Sequence, residues 1–166
     1  PLGALNSVSF SPQPYALSHL QRTKYLIAQA RDSVDVAIYS LWDQSMLRSL
    51  GDASHRGVRV RVLFESAKDD RKSDEPHRTK SGSLEELGID VRYVNKIMHH
   101  KFVLIDGPRD ALDRANTGIL VTGSANWSWS AATRFDDNTL FLKGHPDLLI
   151  DFQREFNLMW EHSRDF

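Results

Sequence analysis

The first absence in this 166-residue chain is cysteine, of which there is none. Disulfide bridges and thiolate zinc sites are therefore excluded. Long apolar stretches are also missing, because no run approaches the roughly 18–20 residues that a membrane-spanning helix needs. The first residues lack the charged and then apolar layout of a signal peptide. We therefore expect a cytoplasmic protein without a membrane segment, either complete as it stands or joined to other domains of a larger protein.

An excess of charge of one sign is missing as well. Lys and Arg together number 21 and Asp and Glu 22, which gives a formal net charge of −1. This balance is unlike that of strongly basic nucleic-acid-binding domains. The basic residues are nevertheless concentrated in the middle of the chain: Arg71, Lys72, Arg78, Lys80, Lys96, Lys101, Arg109, Arg114 and Arg134. Two interpretations stay open, a basic site for an anionic ligand or ordinary solvated surface charge.

The apolar patterning predicts an α/β fold. Six short apolar or alternating runs are typical of strands and cover residues 34–39, 58–64, 89–94, 99–106, 119–122 and 139–142. Helical spacing predicts helices over residues 17–30, 42–55, 84–87 and 146–160. Because strands first alternate with helices and then follow one another, we predict a mixed sheet of about six or seven strands flanked by helices on both faces.

One domain spans residues 1–166 in this interpretation, since the sequence contains neither an internal repeat nor an interdomain linker. Residues 1–14 are expected to form a flexible leader or to have been added to the natural chain. The polar stretch 66–81 is a predicted loop. Arg59 and Arg61, which alternate with valine in a predicted strand, are expected to be covered by helices or salt-bridged.

A His-x-Lys pair precedes the fourth predicted strand. His99 and Lys101 are two residues apart, and the apolar run 102–105 then leads to Asp106. Alternation along a strand points His99 and Lys101 to one face and turns His100 to the other. A lysine fixed beside a histidine suits a phosphate ligand, because it supplies positive charge where phosphate oxygens gather.

A second polar group lies downstream, where Gly123 is followed by Ser124 and Asn126. Phosphodiester cleavage without a metal needs a nucleophile for phosphorus, an acid for the leaving oxygen, and donors around the non-bridging oxygens. His99 can serve as nucleophile or acid, because histidine takes either protonation state near neutrality. Lys101 can supply the charge. Ser124 and Asn126 can supply neutral donors at a turn where glycine lets the backbone approach a ligand.

These residues together resemble the HKD signature of the phospholipase D superfamily, in the form found in its small single-motif nucleases. The signature consists of His99-x-Lys101-x4-Asp106 followed by Gly123-Ser124-Ala125-Asn126. Residues 36–40 resemble the first core strand of that family. Residues 137–142 resemble the acidic residue and strand that follow Gly-Ser-x-Asn. The similarity covers residues 18–160 and implies a phospholipase D-like α/β fold.

The resemblance implies a homodimer, which agrees with the motif occurring only once in the chain. One His99 would attack phosphorus to form a phosphohistidine, and the other would protonate the leaving group and then activate water. Asp137 is nearest the position of the acidic residue that pairs with this histidine, commonly a glutamate in the family, and Asp136 is the competing candidate. Asp106 and Gly123 are expected to support the site. No metal and no other cofactor is expected.

The segment between Asp106 and Gly123 is longer than is usual in the family. We predict that 107–117 is an inserted loop at the rim of the site, where it selects substrate or contacts the partner subunit. Substrate contacts are expected from Lys96, Arg109, Arg134 and Trp127. For Trp127, base stacking competes with packing in the core.

The leading hypothesis is a dimeric, metal-independent phosphodiesterase that cleaves DNA or RNA. A lipid phosphodiesterase of the phospholipase D type is the alternative enzyme, since the motif alone does not exclude it. A nucleic-acid-binding domain with latent catalysis is a third hypothesis. The intact His99, Lys101, Ser124 and Asn126 argue against this third hypothesis.

Overall fold

The computed structural model describes residues 1–65, 79–94 and 96–165. Within these residues eight strands form one sheet, and five α-helices accompany it. The strands are β1 Ser7–Ser11, β2 Ser33–Ile38, β3 Arg59–Phe64, β4 Asp90–Tyr93, β5 Lys101–Ile105, β6 Ile119–Gly123, β7 Asp137–Lys143 and β8 Arg164–Asp165. The helices are α1 His19–Ile27, α2 Gln44–His55, α3 Lys80–Glu86, α4 Trp129–Thr133 and α5 Pro146–Glu161.

The sheet is mixed and has the strand order β1-β7-β6-β5-β2-β3-β4-β8. Strands β2, β3 and β4 run parallel to one another, whereas the other neighbouring pairs are antiparallel. The predicted α/β fold with a mixed sheet is confirmed, and each of the six predicted strands forms. The two strands at the edges of the sheet, β1 and β8, are not among those predicted.

Part of the predicted leader is an ordered strand. Strand β1 pairs antiparallel with β7, from Ser7 opposite Phe141 to Ser11 opposite Asp137. Its phenylalanine, Phe10, is 63% exposed, so an edge strand that pairs mainly through its backbone leaves no buried apolar pattern in the sequence. The flexibility expected of 1–14 is therefore wrong for Ser7–Ser11.

Short polar side chains and glycine set the helix boundaries. Ser18, the predicted cap of the first helix, accepts from the backbone N–H three residues on at 3.4 Å. Gly57 follows α2 with a φ of +92°, a conformation that glycine adopts without strain. Of the predicted loop over 66–81, residues 66–78 lie outside the described residues. Thr79 then accepts from a backbone N–H at 3.0 Å and starts α3, so this segment is helical from Lys80.

Apolar side chains pack against both faces of the sheet. On one face α1 and α2 bring Leu20 and Leu50 into the cluster that contains Val36 of β2. On the other face α5 brings Phe156 into the cluster that contains Phe102 of β5. Full burial of side chains of this size stabilises the fold by about 1.5–3 kcal/mol each. Helices on both faces are thus confirmed.

An ion pair is buried beneath α5. Arg61 donates to both carboxylate oxygens of Asp35 at 2.8 Å and to the side-chain oxygen of Asn157 at 3.1 Å. The Asp35 side chain is 1% exposed, whereas Arg59, which pairs with Asp32 at 2.9 Å, is 46% exposed. The prediction that both arginines are covered or salt-bridged is confirmed.

Four strand ends meet at one end of the sheet, which we call the Lys101 end. Strands β2 and β6 finish there, and β5 and β7 begin there. Lys101 lies opposite Ile38 of β2, and Gly123 of β6 lies opposite Thr139 of β7. We call the opposite end, where β5 finishes, the Ile105 end. The length of β5 separates the two ends by about 14 Å.

Candidate active site

His99 and Lys101 lie next to each other at the Lys101 end. His99 is exposed and precedes β5, and Lys101 is the half-buried first residue of that strand. The Nζ atom of Lys101 lies 2.9 Å from Nδ1 of His99 and donates to the backbone oxygen of His99 at 3.0 Å. The predicted placement of both side chains on one face is therefore observed.

Tyr39, the residue directly after the neighbouring strand β2, completes this group. Its ring centroid lies 4.4 Å from that of His99, and Lys101 Nζ lies 5.4 Å from the Tyr39 ring centroid. The backbone N–H of Tyr39 donates to the backbone oxygen of His100 at 2.9 Å. The sequence assigns Tyr39 to a strand and gives it no role. Only the pairing of β2 with β5 reveals that it lies against the candidate nucleophile.

The second half of the site forms where β6 finishes and β7 begins. The Ser124 hydroxyl donates to Oδ1 of Asp137 at 2.8 Å and accepts from the backbone N–H of Asn138 at 3.0 Å. Gly123 is required at this point, because a Cβ there would overlap the backbone oxygen of Asn138. The structure thus gives a steric reason for the glycine of the Gly-Ser-x-Asn sequence.

The backbone of Asn126 accepts a hydrogen bond from a buried histidine that no sequence pattern marks as part of the site. His19 is 3% exposed, and its Nε2–H donates to the backbone oxygen of Asn126 at 2.9 Å. Burial lowers the pKa of His19, and this hydrogen bond and Asp137 offset only part of the effect. The contact joins residues 107 positions apart, so no local pattern in the sequence could indicate it.

The two halves of the site are coupled through charge. Burial lowers the pKa of Lys101, and the negative charge of Asp137 acts in the opposite direction. Because burial disfavours the ammonium form, an anion bound beside Lys101 would stabilise it. A phosphate at the Lys101 end would therefore meet a cation at Lys101 and an exposed imidazole at His99. Asn126 follows the end of β6, the strand that pairs with β5, by three residues.

Asp106 lies at the Ile105 end, away from this group. Its carboxylate accepts from the backbone N–H groups of Arg31, Asp32 and Ser33 at 3.1, 2.7 and 3.1 Å. Its φ is +50°, a conformation in which aspartate is better tolerated than most residues. Asp106 therefore fixes the start of β2, which agrees with the supporting role that we expect for it.

The predicted rim loop over 107–117 also lies at the Ile105 end, because β5 carries the chain away from His99. Arg109 is 17% exposed and lies 3.8 Å from Asp35. It also donates to the backbone oxygen of Arg59 at 3.4 Å. Within one subunit the rim location of the loop and the substrate contact of Arg109 are therefore wrong.

Trp127 is a second correction. It is 3% exposed and belongs to the apolar core, and its backbone N–H donates to the backbone oxygen of Ser40 at 3.0 Å. A ring buried to this extent cannot stack on a substrate, so the alternative of core packing is confirmed. Lys96 and Arg134 are exposed. The substrate contacts expected of these two residues stay predictions.

A cavity of about 430 Å³ lies beside His99 on the side of α5. Its apolar lining includes Ile97, Leu158 and Met159, and Lys96 lies at it as well. His100 also lines the cavity and packs edge-on against Phe102, with ring centroids 5.4 Å apart. His100 therefore turns away from the Lys101 side chain, as alternation predicts.

Two further observations concern metals and membranes. Over 1–65, 79–94 and 96–165, no three His, Asp or Glu side chains are grouped as a metal site requires. Among the helices in those same ranges, none combines the length and apolar character needed to cross a bilayer.

Comparison with known proteins connects this geometry with one family. The family model for the cardiolipin synthase, PLD-like domain matches residues 24–160. Mitochondrial cardiolipin hydrolase of Danio rerio is 32% identical over 144 residues, which cover 82% of this chain and 55% of that protein. The human protein of the same name is 29% identical over 154 residues, covering 89% and 53%. The chain thus spans about half the length of these relatives.

Solved structures show the same fold over nearly whole chains. The phospholipase D family member Nuc from Salmonella typhimurium superimposes with a TM-score of 0.76 at 22% identity, covering 96% of this chain and 97% of Nuc. NucT from Helicobacter pylori gives 0.75 at 21% identity, covering 96% and 99%. The fold of this chain therefore matches nearly the whole of both solved chains.

Proposed function

This chain belongs to the phospholipase D-like family of phosphodiesterases, and we propose that it is a nuclease that cleaves DNA or RNA without a metal. The observation that carries the proposal is the convergence of two motif halves at the Lys101 end. The exposed His99 lies beside Lys101 on β5, and the Ser124–Asp137 pair lies beyond the end of β6. The match to whole chains of Nuc and NucT further supports it.

The proposed reaction proceeds in two steps. In the first, an imidazole nitrogen of His99 attacks phosphorus, the bond to the leaving oxygen breaks, and a phosphohistidine forms. A second imidazole donates the proton that the leaving oxygen requires. In the second step that imidazole takes a proton from water, the water oxygen attacks phosphorus, and the bond to His99 breaks. Lys101 and Asn126 hold the non-bridging oxygens, whose negative charge they offset.

The second imidazole must come from another subunit, since one chain carries the motif once. We therefore propose a homodimer in which both copies of His99 face one phosphate. The exposure of His99 supports this arrangement, because its side chain is accessible to a partner. The acid and the nucleophile are then the same residue in two subunits, related by twofold symmetry.

A lipid phosphodiester is the second candidate substrate. The relatives that carry the name mitochondrial cardiolipin hydrolase favour it. The apolar cavity beside His99 also favours it, since Ile97, Leu158 and Met159 could contact an acyl chain. A cytoplasmic location for this chain stays a prediction, and the relatives named here are mitochondrial by name.

A substrate panel in excess EDTA tests the proposal. We expect the wild-type protein to degrade single-stranded DNA, duplex DNA or RNA under these conditions, and His99→Ala to lose the activity. His100→Ala serves as the neighbouring control, because His100 turns away from the site. Hydrolysis of cardiolipin in vesicles to phosphatidic acid and phosphatidylglycerol, with every nucleic acid left intact, would instead establish the lipid activity.

A further inference from the structure

A second cavity, of about 550 Å³, is lined in part by Asn126 and carries three exposed aromatic rings. Trp42, Trp129 and Phe135 line it, and they are 56%, 53% and 55% exposed. We call it the aromatic cavity. Single exposed apolar side chains are ordinary, whereas apolar side chains grouped in one patch mark interaction sites, and here three rings share one opening.

The rings are held on fixed elements. The segment that carries Trp42 is bonded to the segment between β6 and α4, because the backbone N–H of Trp42 donates to the backbone oxygen of Trp127 at 2.8 Å. Trp129 is the first residue of α4, whose cap is the Ser128 hydroxyl. Phe135 follows that helix, and its backbone N–H donates to the backbone oxygen of Ser130 at 3.1 Å. Binding of a planar ligand would therefore cost little conformational entropy in these segments.

Cations accompany two of the three rings. The Nζ atom of Lys80 lies 4.1 Å from the Trp42 ring centroid, and the guanidinium of Arg134 lies 5.0 Å from that of Trp129. The rest of the lining is polar and consists of Ser40, Asp43, Gln44, Asn126, Ser128 and Ser130. The carboxylate of Asp43 already accepts from the Tyr15 and Ser45 hydroxyls and from the backbone N–H of Met46. Stacking surfaces, hydrogen-bonding groups and adjacent positive charge occur together here, which is the combination that binds single-stranded nucleic acid.

From this arrangement we infer that the aromatic cavity binds an unpaired nucleobase next to the cleaved phosphate, and that the enzyme prefers single strands. The inference rests on the proposed nuclease function. A base in a duplex is stacked and paired, so it could enter only after flipping out at a cost of a few kcal/mol, which a single strand does not incur. An acyl chain would leave the polar lining unpaired, so a base fits this cavity better than a lipid does. A second copy of the chain is the remaining occupant, and the experiment below identifies it.

The test compares one oligonucleotide with and without bases. Cleavage is measured on a single-stranded oligomer and on versions in which single nucleotides near the cut are replaced by abasic residues. We expect Trp129→Ala and Phe135→Ala each to raise KM on the intact oligomer by about tenfold, as loss of one stacked base implies. On the oligomer that lacks the bound base, the variants and the wild type should have equal KM values.

Two controls accompany these variants. Leu112→Ala removes another exposed apolar side chain, 70% exposed and located at the Ile105 end, and should leave KM unchanged. Trp129→Phe retains a stacking ring and should recover most of the affinity. Equal loss on intact and abasic oligomers would show that the rings act only on the fold and would overturn the inference. A change from dimer to monomer in sedimentation would overturn it too, since the cavity would then be a subunit contact.

Failure of the inference differs from failure of the proposed function. If the wild type cleaves the oligomer and every aromatic variant behaves as it does, only the base site is excluded. A preference of the wild type for duplex DNA would likewise exclude the base site and leave the nuclease function intact. If the wild type cleaves no nucleic acid at all, the nuclease function itself fails and the base site fails with it.

Discussion

The hydroxyl of Ser124 donates to the carboxylate of Asp137 at 2.8 Å and is itself fixed by the backbone N–H of Asn138 at 3.0 Å. The single proton of the Ser124 hydroxyl is therefore donated to Asp137 and is not available to a phosphate oxygen. The sequence alone makes Ser124 a donor to phosphate oxygens. Its contacts make it instead a positioning residue for Asp137, whose charge acts on Lys101 and His19.

Removing the charge of Asp137 should therefore have a larger effect than removing the hydroxyl of Ser124. We expect Asp137→Asn to lower kcat by about 10²-fold, in the range found for groups that assist proton transfer. Ser124→Ala keeps the carboxylate and should lower kcat by about tenfold. The matched control is Asp136→Asn, which changes the exposed neighbouring acid. A loss confined to Asp136→Asn, measured in steady-state kinetics, would contradict this assignment.

Asp106 should contribute to stability rather than to chemistry. Asp106→Ala removes a carboxylate that accepts three backbone N–H groups at the start of β2. The expected decrease in the free energy of unfolding is about 2–3 kcal/mol. Asp106→Asn should lose less, because asparagine keeps an acceptor and tolerates the positive φ. Urea denaturation provides the measurement. A variant of wild-type stability with no activity would instead assign Asp106 to catalysis.

The sequence predicts features that depend on local periodicity. Alternation places His99 and Lys101 side by side, and the structure brings them within 2.9 Å. It also turns His100 away, and the alternating valines identify β3. These predictions succeed because each strand must bury one set of side chains, which the residue order alone specifies.

The errors concern relationships between distant segments. Arg109 and Trp127 are close in sequence to the motif, yet one lies at the Ile105 end and the other in the core. The five residues of β5 carry the chain about 14 Å away from Lys101 before residue 107, so proximity in sequence is not proximity to the site. Tyr39 and His19 reach the site only through strand pairing and helix packing, so no local pattern marks them.

Two arginines on β3 offer a matched test of buried and exposed ion pairs. Arg61→Met leaves the carboxylate of Asp35, 1% exposed, without its principal partner. The expected decrease in the free energy of unfolding is about 3–5 kcal/mol. Arg59→Met removes a pair whose arginine is 46% exposed, and the expected decrease is below about 1 kcal/mol. Equal effects of the two variants in urea denaturation would contradict the buried pair.

His19 should make stability depend on pH below neutrality. Burial lowers its pKa in the folded protein below the ordinary 6.5, so in acid the unfolded chain binds this proton more readily than the folded protein does. Stability is therefore retained above about pH 6.5 and falls as the pH decreases towards the pKa of the folded state, by at most about 1.4 kcal/mol per pH unit.

The variant His19→Gln isolates this contribution, because glutamine does not titrate and keeps an N–H donor for the Asn126 oxygen. Unfolding in urea at pH 7.5 and 5.5 should show a smaller loss of stability for His19→Gln than for the wild type. His100, whose pKa burial also lowers, is present in both proteins and cancels from the difference. The same loss in both proteins would exclude His19 as its source.

Mixing subunits tests whether the site is shared. Equal amounts of wild-type protein and His99→Asn are unfolded together and refolded, so that subunits pair at random. If each site needs both imidazoles, the mixture has about a quarter of the activity of the same total amount of wild-type protein, since only pairs of two wild-type subunits are active. Independent subunits would retain about half. Sedimentation of the wild-type protein as a monomer at the assay concentration would also contradict a shared site.

In the proposed mechanism His99 forms a covalent bond to phosphorus during cleavage of nucleic acid. The direct measurement is the mass of the protein after brief reaction with a single-stranded oligonucleotide in excess EDTA, followed by mapping of the modified peptide. We predict a nucleotide joined through phosphate to His99, accompanied by cleavage, and neither in His99→Asn. Cleavage by His99→Asn at the wild-type rate, or a wild-type protein that leaves every nucleic acid intact, would contradict the account.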